Sequence, residues 1–166
     1  FFQFIGVSYF EVWHMDMKTV IKNNKGTINN VRKFFKRGET YEHYLNIVSA
    51  TAGLSSVNYK NQPSKTNYTD RMEKLYLRAI RAKKIVDSVQ EAINSLPEKR
   101  MQIIVHDAFI DNEVSYNIYA RIHIERSQYF VLLDYGLYLF ADAFLMRQLI
   151  NGVPDPIDLH ADDDAC

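Results

Sequence analysis

DNEVSYNIYARIHIERSQYFVLLDYGLYLFADAF, residues 111–144, has the layout of a short helix, a tight turn and a longer helix. Ser115 is the expected N-cap, because its hydroxyl can accept from an unpaired backbone N–H in the first turn. Ile118, Ile122 and Ile124 supply apolar contacts for the short helix and its exit. The second helix is expected from Arg126. Its residues Tyr129, Leu132, Leu133, Gly136, Leu137, Phe140, Ala141 and Phe144 recur at spacings of three and four, which places them on one face. Ala120 and Gly136 are small enough to permit close helix approach. This is the layout of a helix-turn-helix, in which the start of the second helix enters a DNA major groove. The competing reading is an ordinary pair of helices in a bundle, which shares the period.

Composition bounds the rest. At 166 residues the chain is one domain, or one domain with tails. With 47% apolar residues it can build a core, and four prolines with six glycines argue against disorder. The one cysteine, Cys166, excludes a disulfide framework and a multi-cysteine metal site, and fits a reducing cytoplasm. The opening FFQFIGVSYFEVWH is apolar but too short to span a bilayer, so no membrane partner is expected. It lacks a basic leader and an initiating Met. It reads either as sequence ahead of a natural start at Met15 or Met17, or as a hydrophobic arm that packs on the body.

A net charge of zero conceals a polarity along the chain. All but three of the 20 lysines and arginines lie between Lys18 and Arg100, while carboxylates gather toward Asp155, Asp158 and Asp162–Asp164. A basic front half can bind phosphates, because each neutralised phosphate releases counterions. It can equally be a solvated helix face.

The periodicity predicts an all-α fold. Residues 27–50 look helical, with Gly38 as a break. Residues 51–69, with Pro63, read as the longest loop. Asp70 is the expected start of a long helix, with Met72, Leu75, Ala79, Ile80, Ala82, Val86, Val89 and Ile93 as its buried stripe. Ser95-Leu96-Pro97-Glu98 reads as a capping box with proline in the first turn of the next helix. The expected organisation is an accessory arm at 1–16, a basic helical segment and loop at 17–69, a long helix plus helix-turn-helix at 70–150, and an acidic tail at 151–166.

Taken together, these residues resemble the ArpU family of phage and prophage transcriptional regulators, whose C-terminal part is similar to sigma-70 region 4. The resemblance rests on Ser115-Tyr116-Asn117-Ile118-Tyr119, Arg126-Ser127-Gln128-Tyr129-Phe130, and Leu137 with Phe140-Ala141-Asp142-Ala143-Phe144. Upstream, Ala92-Ile93-Asn94-Ser95-Leu96, Arg100, Ile103-Ile104 and Pro63-Ser64-Lys65 also fit, so it spans roughly residues 28–147. It implies a helical domain ending in a sigma-like helix-turn-helix, and an activator of phage or prophage late genes.

On this reading the partner is double-stranded DNA. Arg126, Ser127 and Gln128 are the expected base readers, since Arg suits guanine and Gln suits adenine. Lys99, Arg100, Arg121 and the long basic helix, with Arg71, Lys74, Arg78, Arg81 and Lys84, are the expected phosphate contacts. Tyr116 and Asn117 complete the candidate interface. The second helix carries Val131, Leu132, Leu133, Asp134 and Tyr135 where further cations would help.

Nothing in the pattern points to an enzyme, a cofactor or a resident metal. No HExxH pair and no phosphate-cradling glycine loop is present. His106 and Asp107 are adjacent and are expected on different faces. The Asp111–Glu113 turn falls short of a calcium loop. The other class of function is an interaction module, docking on host RNA polymerase or serving as a small-terminase-like subunit in DNA packaging.

Overall fold

A computed structural model describes the backbone of residues 9–52 and 66–161, and the side chains of 16–52 and 70–161. The chain is all-helical over these residues. The elements are α1 (Tyr9–Asn23), α2 (Lys25–Phe35), α3 (Thr40–Thr51), α4 (Thr66–Asn94), α5 (Lys99–Phe109), α6 (Ser115–Arg121) and α7 (Arg126–Ile150).

The fold is organised around α7, which packs against α1, α2, α4, α5 and α6. Among the described residues it alone is long and apolar enough to cross a bilayer. Its central position accounts for the apolar residues of its buried face, while Phe130, Met146, Leu149 and Ile150 are apolar and exposed. The predicted stripe is buried throughout, from Tyr129 to Phe144. At Gly136 an added Cβ would meet Val105 Cγ2 at 3.1 Å, so the missing side chain is what lets α5 lie close. Ala120, the other small residue singled out, is exposed and has no such role.

Aromatic rings join the layers. Phe34 packs on Phe144 at 5.2 Å, Phe35 on Phe140 at 5.2 Å, and Phe35 stacks on Phe109 at 5.1 Å. Such pairs contribute about 0.5–1.5 kcal/mol each beyond their area. One apolar cluster runs from Met17 on α1 to Leu159 beyond α7. The boundaries expected at 16/17 and 69/70 fall inside α1 and α4, and both helices continue across them.

Several local expectations change. The break near Gly38 stands: Gly38 has φ +80°, a conformation that favours glycine, and it separates α2 from α3. The long helix starts at Thr66, four residues before Asp70, so Asn67–Thr69 is helical and not loop. Residues 53–65, the centre of the expected loop, lie outside the described residues, as does the tail from Asp162 onward.

The capping box does not form. Ser95 Oγ donates to Ala92 O at 2.8 Å and so closes α4, while Pro97 precedes α5. Gln102 bridges the joint instead, its Nε2 donating to Leu96 O at 2.8 Å and Asn94 O at 3.1 Å. Ser115 is the first helical residue and not the cap. Extended Val114 holds the cap position, and its carbonyl accepts from Asn117 N.

α4 divides in two. Ala82, Ile85, Val89, Ala92 and Ile93 are fully buried, whereas Leu75 and Ile80, expected in the core, are 50% and 37% exposed. The first half of α4 meets α3, where Arg78 and Arg81 reach His43 and Tyr44, and among the described residues nothing buries Leu75 and Ile80.

Residues 151–161 are not a solvated tail. They return across α4, α7 and α2 as a strap. The buried Gln148 makes a two-way bond with Ile157: its Nε2 donates to Ile157 O and its Oε1 accepts from Ile157 N, both at 2.8 Å. Val153 and Leu159 are buried. Ala161 N donates to Thr27 Oγ1 at 3.0 Å. A folded-back end of this kind needs a buried polar anchor, because its backbone groups have no helix to satisfy them.

Candidate nucleic-acid interface

The turn between α6 and α7 is made by residues 122–125. His123 sits at φ +53°, and Ile124 N returns to Tyr119 O at 3.1 Å. Ile122 and Ile124 are half-buried beneath it, and Ile118 is fully buried. Tyr129, 1% exposed, anchors the second helix. Burial raises its hydroxyl pKa, so the ring is neutral over the ordinary range. These apolar anchors fix the direction in which the first turn of α7 points.

That first turn is open. Arg126 and Ser127 are exposed, and Gln128 is half-buried. The Arg126 guanidinium sits over the Phe130 ring, 5.8 Å from its centre. On α6, Tyr116 is 64% exposed and Asn117 is also exposed. Tyr116 rests edge-on against Tyr119, and Tyr119 in turn packs on Tyr129. These five residues therefore occupy one end of the molecule.

Lys99, Arg100 and Arg121 behave differently. Lys99 and Arg100 are exposed at the start of α5. Met101, the next residue, lies against Gly136, which is about 15 Å along α7 from Arg126. Arg121 points into the protein's own carboxylates. It donates to Glu113 Oε1 and Oε2 at 2.8 Å and to Asp107 Oδ2 at 2.5 Å. Hydrogen bonding to Glu113, followed by the charges of Glu113 and Asp107, raises its pKa. A guanidinium compensated by two carboxylates has little left to offer a phosphate. Sequence periodicity cannot reveal this, because Asp107 and Arg121 meet only through the α5–α6 corner.

The same corner brings His106 and Asp107 together, against the expectation of separate faces. His106 Nδ1 is 3.1 Å from Asp107 Oδ1 and 3.4 Å from Asp111 Oδ2. The helix is ending there, and both side chains can lean toward the turn. Asn112, at φ +53°, bends the chain back so that Glu113 reaches Arg121. The group could hold a cation by geometry, but Arg121 already occupies the second oxygen of Asp107.

No family model matches the chain, and no curated protein and no solved structure matches it.

Proposed function

We propose that the chain is a DNA-binding transcriptional regulator of the ArpU kind, acting on phage or prophage genes in a bacterial host. In this reading α6 and α7 are the two arms of a sigma-like helix-turn-helix. One observation carries it: α7 buries a stripe that begins at Tyr129, yet presents Arg126 and Ser127 to solvent at its start, beside the exposed Tyr116 and Asn117 of α6. A buried anchor next to an open, donor-rich first turn is what groove entry requires. Arg126 can bond a guanine bidentately, with about 1–3 kcal/mol of discrimination. Lys99 and Arg100 supply phosphate contacts further along, and Arg121 is assigned to the scaffold.

A second reading has its own observation. Val114, Tyr116 and Phe130 are 65%, 64% and 39% exposed at the same end. That apolar patch, beside Asp111 and Glu125, suits protein docking, on host RNA polymerase or in a packaging complex.

Selection of binding sites from random duplexes separates the two. The DNA reading expects an enriched site for the wild type and loss of preference at one base pair in Arg126→Ala, with the fold intact. No enriched site for the wild type refutes it and leaves the docking reading.

A further inference from the structure

The far end of α7 carries a different surface. The strap after α7 passes beside the exposed part of α4 and leaves a groove of about 500 Å³. Its lining combines Leu77, Ile80 and Pro154 with three cations, Arg78, Arg81 and Lys84. No carboxylate lines it among the described residues.

The cations are ordered, and the partners that order them are neutral. Arg81 donates to Pro154 O at 3.1 Å, Asp155 O at 3.0 Å and Tyr44 Oη at 3.0 Å. Lys84 donates to Gly152 O at 3.0 Å. Arg78 lies 3.0 Å from His43 Nε2, which must accept because a guanidinium has only donors. Among the described residues, then, three positive charges converge without a compensating negative one. Beside them Leu77 is 57% and Ile80 37% exposed.

We infer that this groove docks an acidic, amphipathic helix of a partner protein. The apolar floor takes side chains at helical spacing, and the cations meet flanking carboxylates, which is the helix-in-groove mode of recognition with complementary charge. A nucleic-acid backbone would match the cations, but it has no use for a floor of leucine, isoleucine and proline. The groove opens near the C-terminal end of α7, about 37 Å along the helix from Arg126. Its lining shares no residue with the proposed DNA contacts Arg126, Ser127, Gln128, Lys99 and Arg100.

The test uses the full chain and a fluorescent helical peptide of about 20 residues, with Leu and Ile on one face and Glu on its flanks. A matched peptide carries Lys in place of every Glu. The expected result is at least about tenfold tighter binding of the acidic peptide. Arg78→Glu and Leu77→Ser, both at exposed positions, should each weaken it by about tenfold while the melting temperature holds. Hydrogen exchange on the unmodified chain should slow at 77–84 when the acidic peptide is added. Equal binding of the two peptides, or indifference to both substitutions, overturns the proposal. So does displacement of the peptide by duplex DNA, by phosphatidylglycerol vesicles or by a second copy of the chain. Site selection with Arg78→Glu should return the wild-type site, so a failure of this inference is distinguishable from a failure of the DNA reading.

Discussion

At the start of α7, the cation next to the open turn, Arg121, is compensated by Glu113 and Asp107. Near its end, among the described residues, Arg78, Arg81 and Lys84 are held by carbonyls, a phenol and an imidazole. By residue type the first end sets Arg121 and Arg126 against Asp107, Asp111, Glu113 and Glu125, whereas no carboxylate lines the groove at the other among the described residues. The end with the helix-turn-helix layout therefore depends on geometry and on few cations, whereas the groove combines charge with apolar surface.

The shared waist of α7 offers the sharpest way to break this comparison, because both ends hang on it. Phe140 is fully buried and stacks with Phe144, ring centres 5.4 Å apart. Phe140→Ala should cost about 3–5 kcal/mol in denaturant unfolding, as for other large buried aromatics. DNA binding and peptide binding should then fail together. Failure of one without the other would mean that the ends are not mechanically joined.

Gln148→Ala should affect one end alone. It orphans both backbone groups of Ile157, and leaving such groups unsatisfied costs about 1–3 kcal/mol. Hydrogen exchange should quicken over 152–161 and stay unchanged over 115–130. Uniform quickening would show that the strap supports the whole bundle. Removal of residues 155–166, at first sight only the loss of an acidic tail, should likewise destabilise, since Leu159 and the partner of Gln148 go with it.

Charge substitutions sharpen the contrast at the DNA end. Reversing Lys99 and Arg100 to Glu should weaken binding to all duplexes alike. The salt slope should become shallower by about one for each phosphate that is no longer neutralised. The charge-neutral pair Arg121→Gln with Glu113→Gln should change DNA affinity by less than about twofold, because the two charges already cancel in the folded corner. A large drop for this pair, with the corner still folded, would return Arg121 to the interface.

The smallest effect concerns pH and the strap. His160 Nδ1 lies 2.5 Å from Asp158 Oδ1, and Nε2 lies 2.8 Å from Asp142 Oδ1. Only the imidazolium can donate from both nitrogens. Burial lowers the His160 pKa, but hydrogen bonds to Asp158 and Asp142 outweigh it and leave the pKa raised. The Asp158 pKa is lowered, first by the His160 backbone N–H and then by its ring. The histidine's contribution is therefore complete below the ordinary histidine value and lost as pH rises through the raised one. The aspartate's contribution is present above the ordinary carboxylate value and lost as pH falls through the lowered one. Strap protection should peak between these limits, and His160→Gln should flatten the alkaline side. A histidine titration at the ordinary value would remove the ring from this role.

Much of the helical plan was legible because period and punctuation are local. The stripe from Tyr129 to Phe144 marks a buried face, and Gly38 marks a break because few other residues adopt its φ. Capping was less legible: Ser95 and Ser115 are good caps by type, but neighbouring backbone carbonyls took those places. The candidate interface was legible as a set of residue types at the start of α7, and the fate of Arg121 was not.

The sequence by itself determined that the chain is helical, where α7 begins, and which of its faces is apolar. These follow from hydrophobic spacing within a single segment. Only the tertiary structure decided that α4 leaves Leu75, Leu77 and Ile80 uncovered, that Gln148 binds the strap, and which cations keep their charge uncompensated. Each of those depends on a meeting between residues distant in sequence, and burial and ion pairing are properties of the neighbours a side chain meets, not of the side chain itself.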